Sequence, residues 1–185
     1  SETCHKYGLY LFLDGARLGY GLAAPDNDLT LPEIAALCDV FYIGGTKVGA
    51  LFGEAVVIKN PELAQDFRYL IKQNGGMLAK GRLLGLQFDA LFTDGLYQEI
   101  SAHAIAMAEK LREAFTAKGY NYLAPNRTNQ IFVIVPDAHL AKISEQFEYS
   151  YDQRIDATHS CVRFCTGWAT KEENVDALIR CVEKL

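Results

Sequence analysis

No stretch of this sequence is apolar for long enough to cross a membrane; the longest apolar runs are strand-sized. Nor is there a basic excess. The formal net charge of -5 argues against a general nucleic-acid binder, which would carry a basic face. No Cys-x-x-Cys occurs. The five cysteines (Cys4, Cys38, Cys161, Cys165, Cys181) are odd in number, so neither a disulfide framework nor a zinc site is suggested. Cys161 and Cys165 are four apart in an alternating strand and are expected as two buried thiols on one face. The opening residues do not read as a signal peptide, and there is no repeat or low-complexity tract. What remains is an ordinary globular balance, 50% hydrophobic and 22% charged, expected to be cytoplasmic.

The chain has enough residues, 185, for one large domain or two small ones. Leu9 to Leu13 is a continuous apolar run ending at Asp14-Gly15, the pattern of a strand buried on both faces. A Gly/Pro/Asp/Asn-rich loop follows, over 19–29. Thr30 and Glu33 then form a capping box around Pro32 at a helix start. Val40 to Ile43 and Ala55 to Ile58 read as strands. Asn60-Pro61 opens a helix that Asn74-Gly75-Gly76 breaks. A long helical stretch runs from about Lys80 to Lys118, with an interruption at Thr93-Asp94-Gly95, and Gly119 stops it. Beyond it come a strand at Ile131–Val135, a short helix from Pro136 to about Phe147, a strand at Cys161–Cys165 and a last helix capped by Thr170 with Glu173. The organisation expected is a partial large domain over 1–75, a connecting helix over 76–118 and a small α+β domain over 119–185. The first part has too few strands for a parallel sheet covered on both faces, so its other strands are expected elsewhere.

In open α/β sheets, ligands bind beyond the carboxyl ends of strands. Asp14 and Lys47 both sit at such ends. A carboxylate and an amine converging there suit pyridoxal 5'-phosphate (PLP), whose ring nitrogen needs an acidic partner and whose aldehyde needs a lysine. On local pattern alone, a lysine after Gly-Gly-Thr is more often a solvated loop lysine, and an aspartate before glycine is more often a turn residue.

Leu13-Asp14-Gly15-Ala16-Arg17 matches the Leu-Asp-Gly-Ala-Arg motif of the threonine aldolase family, within the fold type I PLP enzymes. Gly45-Thr46-Lys47-Val48-Gly49-Ala50 through Val57 resembles that family's lysine segment. Asn74-Gly75-Gly76-Met77 resembles its glycine-rich stretch. Val162 to Thr170 resembles its C-terminal arginine strand and the cap of the next helix. These four motifs, in order from residue 13 to 170, span nearly the whole chain.

The resemblance implies an α/β fold: the C-terminal part of a fold type I large domain, with a mostly parallel sheet, followed by the small α+β domain. It implies that Lys47 holds PLP as a Schiff base and that Asp14 pairs with the pyridinium nitrogen. Arg17 would contact the cofactor's phenolic oxygen or the substrate carboxylate. Arg163 would grip the α-carboxylate of an amino-acid substrate, its alternative being a strand-edge ion pair. Thr46 either donates to the cofactor phosphate or holds the turn. Lys80 or Arg82 would reach a phosphate in a neighbouring subunit or lie on a solvated helix face. The four histidines match no family motif, and no metal is expected. The implied activity is cleavage of threonine or allo-threonine to glycine and an aldehyde. A β-eliminating lyase of aromatic or sulfur amino acids, or an inactive α/β module used in assembly, are the alternatives. Family members carry a long stretch before Asp-Gly-Ala-Arg that supplies a ring stacked on the cofactor and much of the phosphate loop. The partners implied are therefore that N-terminal half and further copies, as a homodimer or homotetramer.

Overall fold

In a computed structural model, residues 1–185 are all described. They fall into two units: Ser1–Leu22 with Asn27–Glu99, and Ala23–Asp26 with Ile100–Leu185.

The first unit is built on a three-stranded sheet in the order β1 (Phe12–Leu13), β2 (Val40–Gly44), β3 (Glu54–Ile58). β1 and β2 are parallel, with Leu13 level with Phe41; β2 and β3 are antiparallel. The mostly parallel sheet expected from the sequence is therefore represented by one parallel pair. The segment between β2 and β3 is too short for a crossover, which needs about a dozen residues, so the chain must turn back on itself. The expected strand over 9–13 is shorter than its apolar run, and its side chains are not buried on both faces: Leu9, Tyr10 and Phe12 are more than half exposed.

Around the sheet lie α1 (Glu2–Lys6), α2 (Leu18–Ala23), α3 (Leu31–Leu37), α4 (Pro61–Ala64), α5 (Phe67–Gln73) and α6 (Arg82–Phe92). α3 starts as its sequence dictates. Glu33 accepts from the Thr30 amide at 2.7 Å, both halves of the capping box form, and Pro32 sits in the first turn. Asn60 caps α4 through the Glu62 amide at 3.0 Å. The helix predicted beyond it is divided, because Asp66 takes a left-handed conformation (φ 58°) before α5. Asp94 does the same (φ 52°) in the 3-10 turn Thr93–Gly95, where the long helix is interrupted as its Thr-Asp-Gly predicts. The unit's core is Tyr20, Ile34, Phe41, Ile43, Val48, Leu91 and Tyr97.

α7 (Leu96–Ala117) leads into the second unit, a four-stranded sheet ordered β4 (Asn121–Tyr122), β5 (Gln130–Pro136), β7 (His159–Cys165), β6 (Ser150–Arg154), with α8 (Asp137–Ile143) and α9 (Glu172–Glu183). The pairings are antiparallel. β5 alternates strictly, burying Ile131, Val133 and Val135, which pack with Leu111, Phe115, Ile143, Val162, Leu178 and Val182.

Two local expectations fail here. Cys161 is buried but Cys165 is exposed, because it is the last residue of its strand. Thr170 does not cap α9. Its hydroxyl instead accepts from the Gly167 amide at 2.8 Å, and Lys171 is the N-cap.

Candidate active site

β1 and β2 run in parallel, so their carboxyl ends lie side by side. With Leu13 level with Phe41, the next step places Asp14 beside Tyr42. Both chains then turn, and glycines let the two turns touch. A Cβ built on Gly15 would lie 1.7 Å from the Tyr42 carbonyl oxygen; one on Gly44 would lie 2.5 Å from the Ala16 oxygen. In that closeness the Gly44 amide donates to the Gly15 carbonyl at 2.9 Å. Neither glycine is there for a left-handed backbone; each is there because no side chain fits.

Asp14 is exposed. Its Oδ1 accepts from the Ala16 amide at 3.1 Å and from the Tyr42 hydroxyl, while no hydrogen bond occupies Oδ2. The Tyr42 hydrogen bond, then the Ala16 amide, and then the charges of Lys47 and Arg17 hold its carboxyl below the usual range. The same contact with the Asp14 carboxylate pushes the Tyr42 phenol up to about 12. Both cations are thus close enough to Asp14 for their charges to act on it.

Lys47 is exposed, and its amine has no hydrogen-bond or ion-pair partner; its backbone, by contrast, is held firmly. The buried Tyr20 donates its hydroxyl to the Lys47 carbonyl. Glu54 accepts from the Gly45 amide at 2.7 Å, and the Val48 and Ala50 amides both return to the Gly45 carbonyl, at 2.9 and 3.0 Å. Beyond the loop, Gln87 of α6 accepts from the Leu51 amide at 2.7 Å and donates to the Phe52 carbonyl at 3.2 Å. The buried Tyr97 receives the Gly19 amide at 3.1 Å and gives its own proton to the Gly44 carbonyl at 3.0 Å; burial pushes its phenol up to about 12. A free amine on a fixed backbone and a half-satisfied carboxylate together fit a cofactor with an electrophilic carbon at one end and a basic ring nitrogen at the other. Thr46 is exposed beside Lys47, and Arg17 is half-buried at the start of α2.

Arg163 belongs to the second unit. Its strand, β7, is interior to the sheet and Arg163 forms no ion pair, so the strand-edge ion-pair alternative does not hold. One guanidinium nitrogen donates to Gln130 Oε1 at 3.3 Å, while Nε is buried without a partner. Arg163 lines a cavity of about 340 Å³ with Tyr149, Cys165, Thr170, Asn174 and Leu178. Lys80 and Arg82 are exposed, and no His, Cys, Asp or Glu cluster could hold a metal ion.

Asp14, Arg17, Thr46, Lys47 and Arg163 are the residues the sequence points to. It gives no sign of Tyr20 and Tyr42, which hold the Lys47 backbone and the Asp14 carboxylate, or of Glu54, Gln87 and Tyr97, which hold the backbone of the neighbouring turns at Gly45, Leu51–Phe52, Gly19 and Gly44. A tyrosine in an apolar strand or helix reads as packing. Only the register of β1 against β2 points Tyr42 at a carboxylate.

Set beside known proteins, this α/β arrangement is that of the fold type I enzymes. A family model described as "Beta-eliminating lyase" matches residues 1–138, and the chain belongs to that family. A low-specificity L-threonine aldolase of a Pseudomonas species is 31% identical over 182 residues, 96% of this chain and 51% of that protein. The structure of Leishmania major threonine aldolase superposes with a TM-score of 0.96 at 42% identity, over 99% of this chain and 54% of that one. Serine palmitoyltransferase from Sphingomonas wittichii shares the fold alone, with a TM-score of 0.68 at 16% identity. The chain spans about half the length of the relatives it matches.

Proposed function

We propose that this chain carries the cofactor-anchoring part of a PLP-dependent lyase that cleaves β-hydroxy-α-amino acids, such as threonine or allo-threonine, to glycine and an aldehyde. One observation carries the proposal. Two strand ends are locked together by glycines that admit no side chain, and they present a free lysine amine whose charge acts on a carboxylate with one oxygen open. The similarity to the Leishmania and Pseudomonas proteins supports it.

PLP, when bound, supplies an electron-withdrawing ring conjugated to the substrate's α-carbon. The residues of this chain do the rest. The Lys47 amine is the covalent anchor, and its fixed backbone limits where that amine can reach. Asp14 would partner the cofactor's ring nitrogen and keep a proton on it. Arg17 offers a bidentate fork to the phenolic oxygen or to a carboxylate, and Thr46 offers a hydroxyl to the phosphate. Arg163, which lines the cavity of the second unit, would take the substrate α-carboxylate. The family's own description favours a second reaction on the same groups, β-elimination from an aromatic or sulfur amino acid.

The test uses the full-length protein. Borohydride treatment followed by peptide mass spectrometry should place a reduced cofactor adduct on Lys47, and Lys47→Ala should lose it. An adduct on another lysine would overturn the assignment. Product analysis separates the reactions: glycine with an aldehyde for the aldolase, pyruvate with ammonia for the elimination.

A further inference from the structure

The Tyr42–Asp14 contact is not explained by packing. Tyr42 is half-buried on the central strand of its sheet, where a phenylalanine would fill the same space. Its ring packs against Phe12 at a centroid distance of 6.0 Å, and its hydroxyl donates to the Asp14 carboxylate. An exposed carboxylate needs no protein donor to satisfy it, since water does that at little cost. What water cannot do is fix its direction. Tyr42 and the Ala16 amide converge on the same oxygen, Oδ1, which restricts the rotation of the carboxylate and leaves Oδ2 without a hydrogen bond. The Ala16 amide belongs to Asp14's own turn and moves with it. Tyr42 is on another strand, tied in register by β-pairing, so it fixes Asp14 relative to β2, which leads directly into Lys47.

We propose that Tyr42 is a positioning residue for the reaction: its hydroxyl orients the Asp14 carboxylate relative to the lysine-bearing strand so that Oδ2 meets the cofactor's ring nitrogen. The proposal rests on the reading of Asp14 as the ring-nitrogen partner. It assigns to a residue outside every recognised motif the task of holding that partner ionised and aimed.

The experiment compares wild type, Tyr42→Phe, Asp14→Asn and the double variant of the full-length protein. In the cofactor-free protein, the Asp14 carboxyl is titrated by 13C NMR, with the signal assigned by its loss in Asp14→Asn. Wild-type Asp14 should titrate below the ordinary aspartate range, and Tyr42→Phe should bring it back up. In the loaded protein, Tyr42→Phe should lower kcat about tenfold, the size expected for one hydrogen bond to a charged group, and leave KM nearly unchanged. The double variant should be no slower than Asp14→Asn.

An unmoved Asp14 titration in Tyr42→Phe, or a kcat equal to wild type, overturns the proposal while leaving Asp14's role intact. Should Tyr42→Phe not fold, fluorotyrosine incorporated into the folded wild-type protein replaces it: a more acidic phenol at Tyr42 should lower the Asp14 titration further, and an unmoved titration overturns the proposal. A fully active Asp14→Asn protein overturns the reading beneath it, which the two Tyr42→Phe outcomes do not.

Discussion

At the scale of single residues, the site depends on atoms that are missing. Gly15 and Gly44 let two strand-end turns approach until backbone touches backbone, and that contact sets the spacing of Asp14 from Lys47. The glycines of this chain therefore divide sharply in what they tolerate. Gly15→Ala drives a methyl group into the Tyr42 carbonyl, and backbone must move to relieve it. The expected cost is at least about 3 kcal/mol, the upper part of the overpacking range. Gly21, inside α2, has nothing within 4 Å of a built Cβ. Gly21→Ala should stabilise by about 0.5–1 kcal/mol through helix propensity. Thermal denaturation of the two variants side by side checks both signs. Equal effects would mean that the turn contact has slack the structure does not show.

The same distinction explains which parts of the site could be read from the sequence. Asp14 and Lys47 are legible because each lies just beyond an apolar run, at a strand end, and inside a motif shared with the family. Tyr42 and Tyr20 do not stand out, because their hydroxyl partners lie 28 and 27 residues away. Nothing in a linear pattern marks a tyrosine whose ring packs and whose oxygen works.

At the scale of elements, most signals that need only neighbours are realised, the Thr170 cap being the exception. The Thr30–Glu33 capping box, the Asn60 cap and the helix break at Thr93-Asp94-Gly95 are all local chemistry. β6 was illegible because all five of its residues are exposed, so no alternation marks it. It exists because β7 offers it an edge and a tight turn brings it back.

That turn has its own titration. Asp156 Oδ1 accepts from the Thr158 and His159 amides, at 2.7 and 2.8 Å, and lies 3.0 Å from His159 Nδ1. The Thr158 amide first, then the His159 side chain, lower its pKa to about 2. The folded carboxyl is more acidic than the unfolded one. The turn's contribution to stability is therefore complete above the ordinary value of 3.8 and is lost as the pH falls through about 2. Amide exchange in β6 should accelerate over that interval ahead of β5. In Asp156→Asn, which keeps the acceptor oxygen but not the charge, the acceleration should disappear. Exchange in β6 that follows β5 at every pH would contradict the assignment.

At the scale of the whole molecule, the two units differ in how completely each closes on itself. Among the large exposed hydrophobic side chains, only Leu123, Tyr151, Ile155 and Trp168 belong to the second unit. The rest, including Tyr7, Leu9, Tyr10, Phe12, Leu51, Phe52, Leu83 and Leu86, belong to the first. The main buried cluster, from Met107 to Val182, lies wholly in the second. A sheet face with its own helices and a continuous core can unfold as one cooperative body; a three-stranded sheet with an open apolar edge cannot be expected to do so alone. Residues 100–185, expressed by themselves, should therefore unfold in a single sigmoidal transition and bind little of the apolar-surface dye ANS. Residues 1–99 should bind it strongly and unfold without a sharp midpoint. Phe115→Ala gives the control inside the closed unit: it removes a fully buried ring that contacts Phe164 and should cost about 3–5 kcal/mol by urea denaturation. A dye-silent, cooperative 1–99 fragment would show that the exposed apolar residues of the first unit do not weaken it.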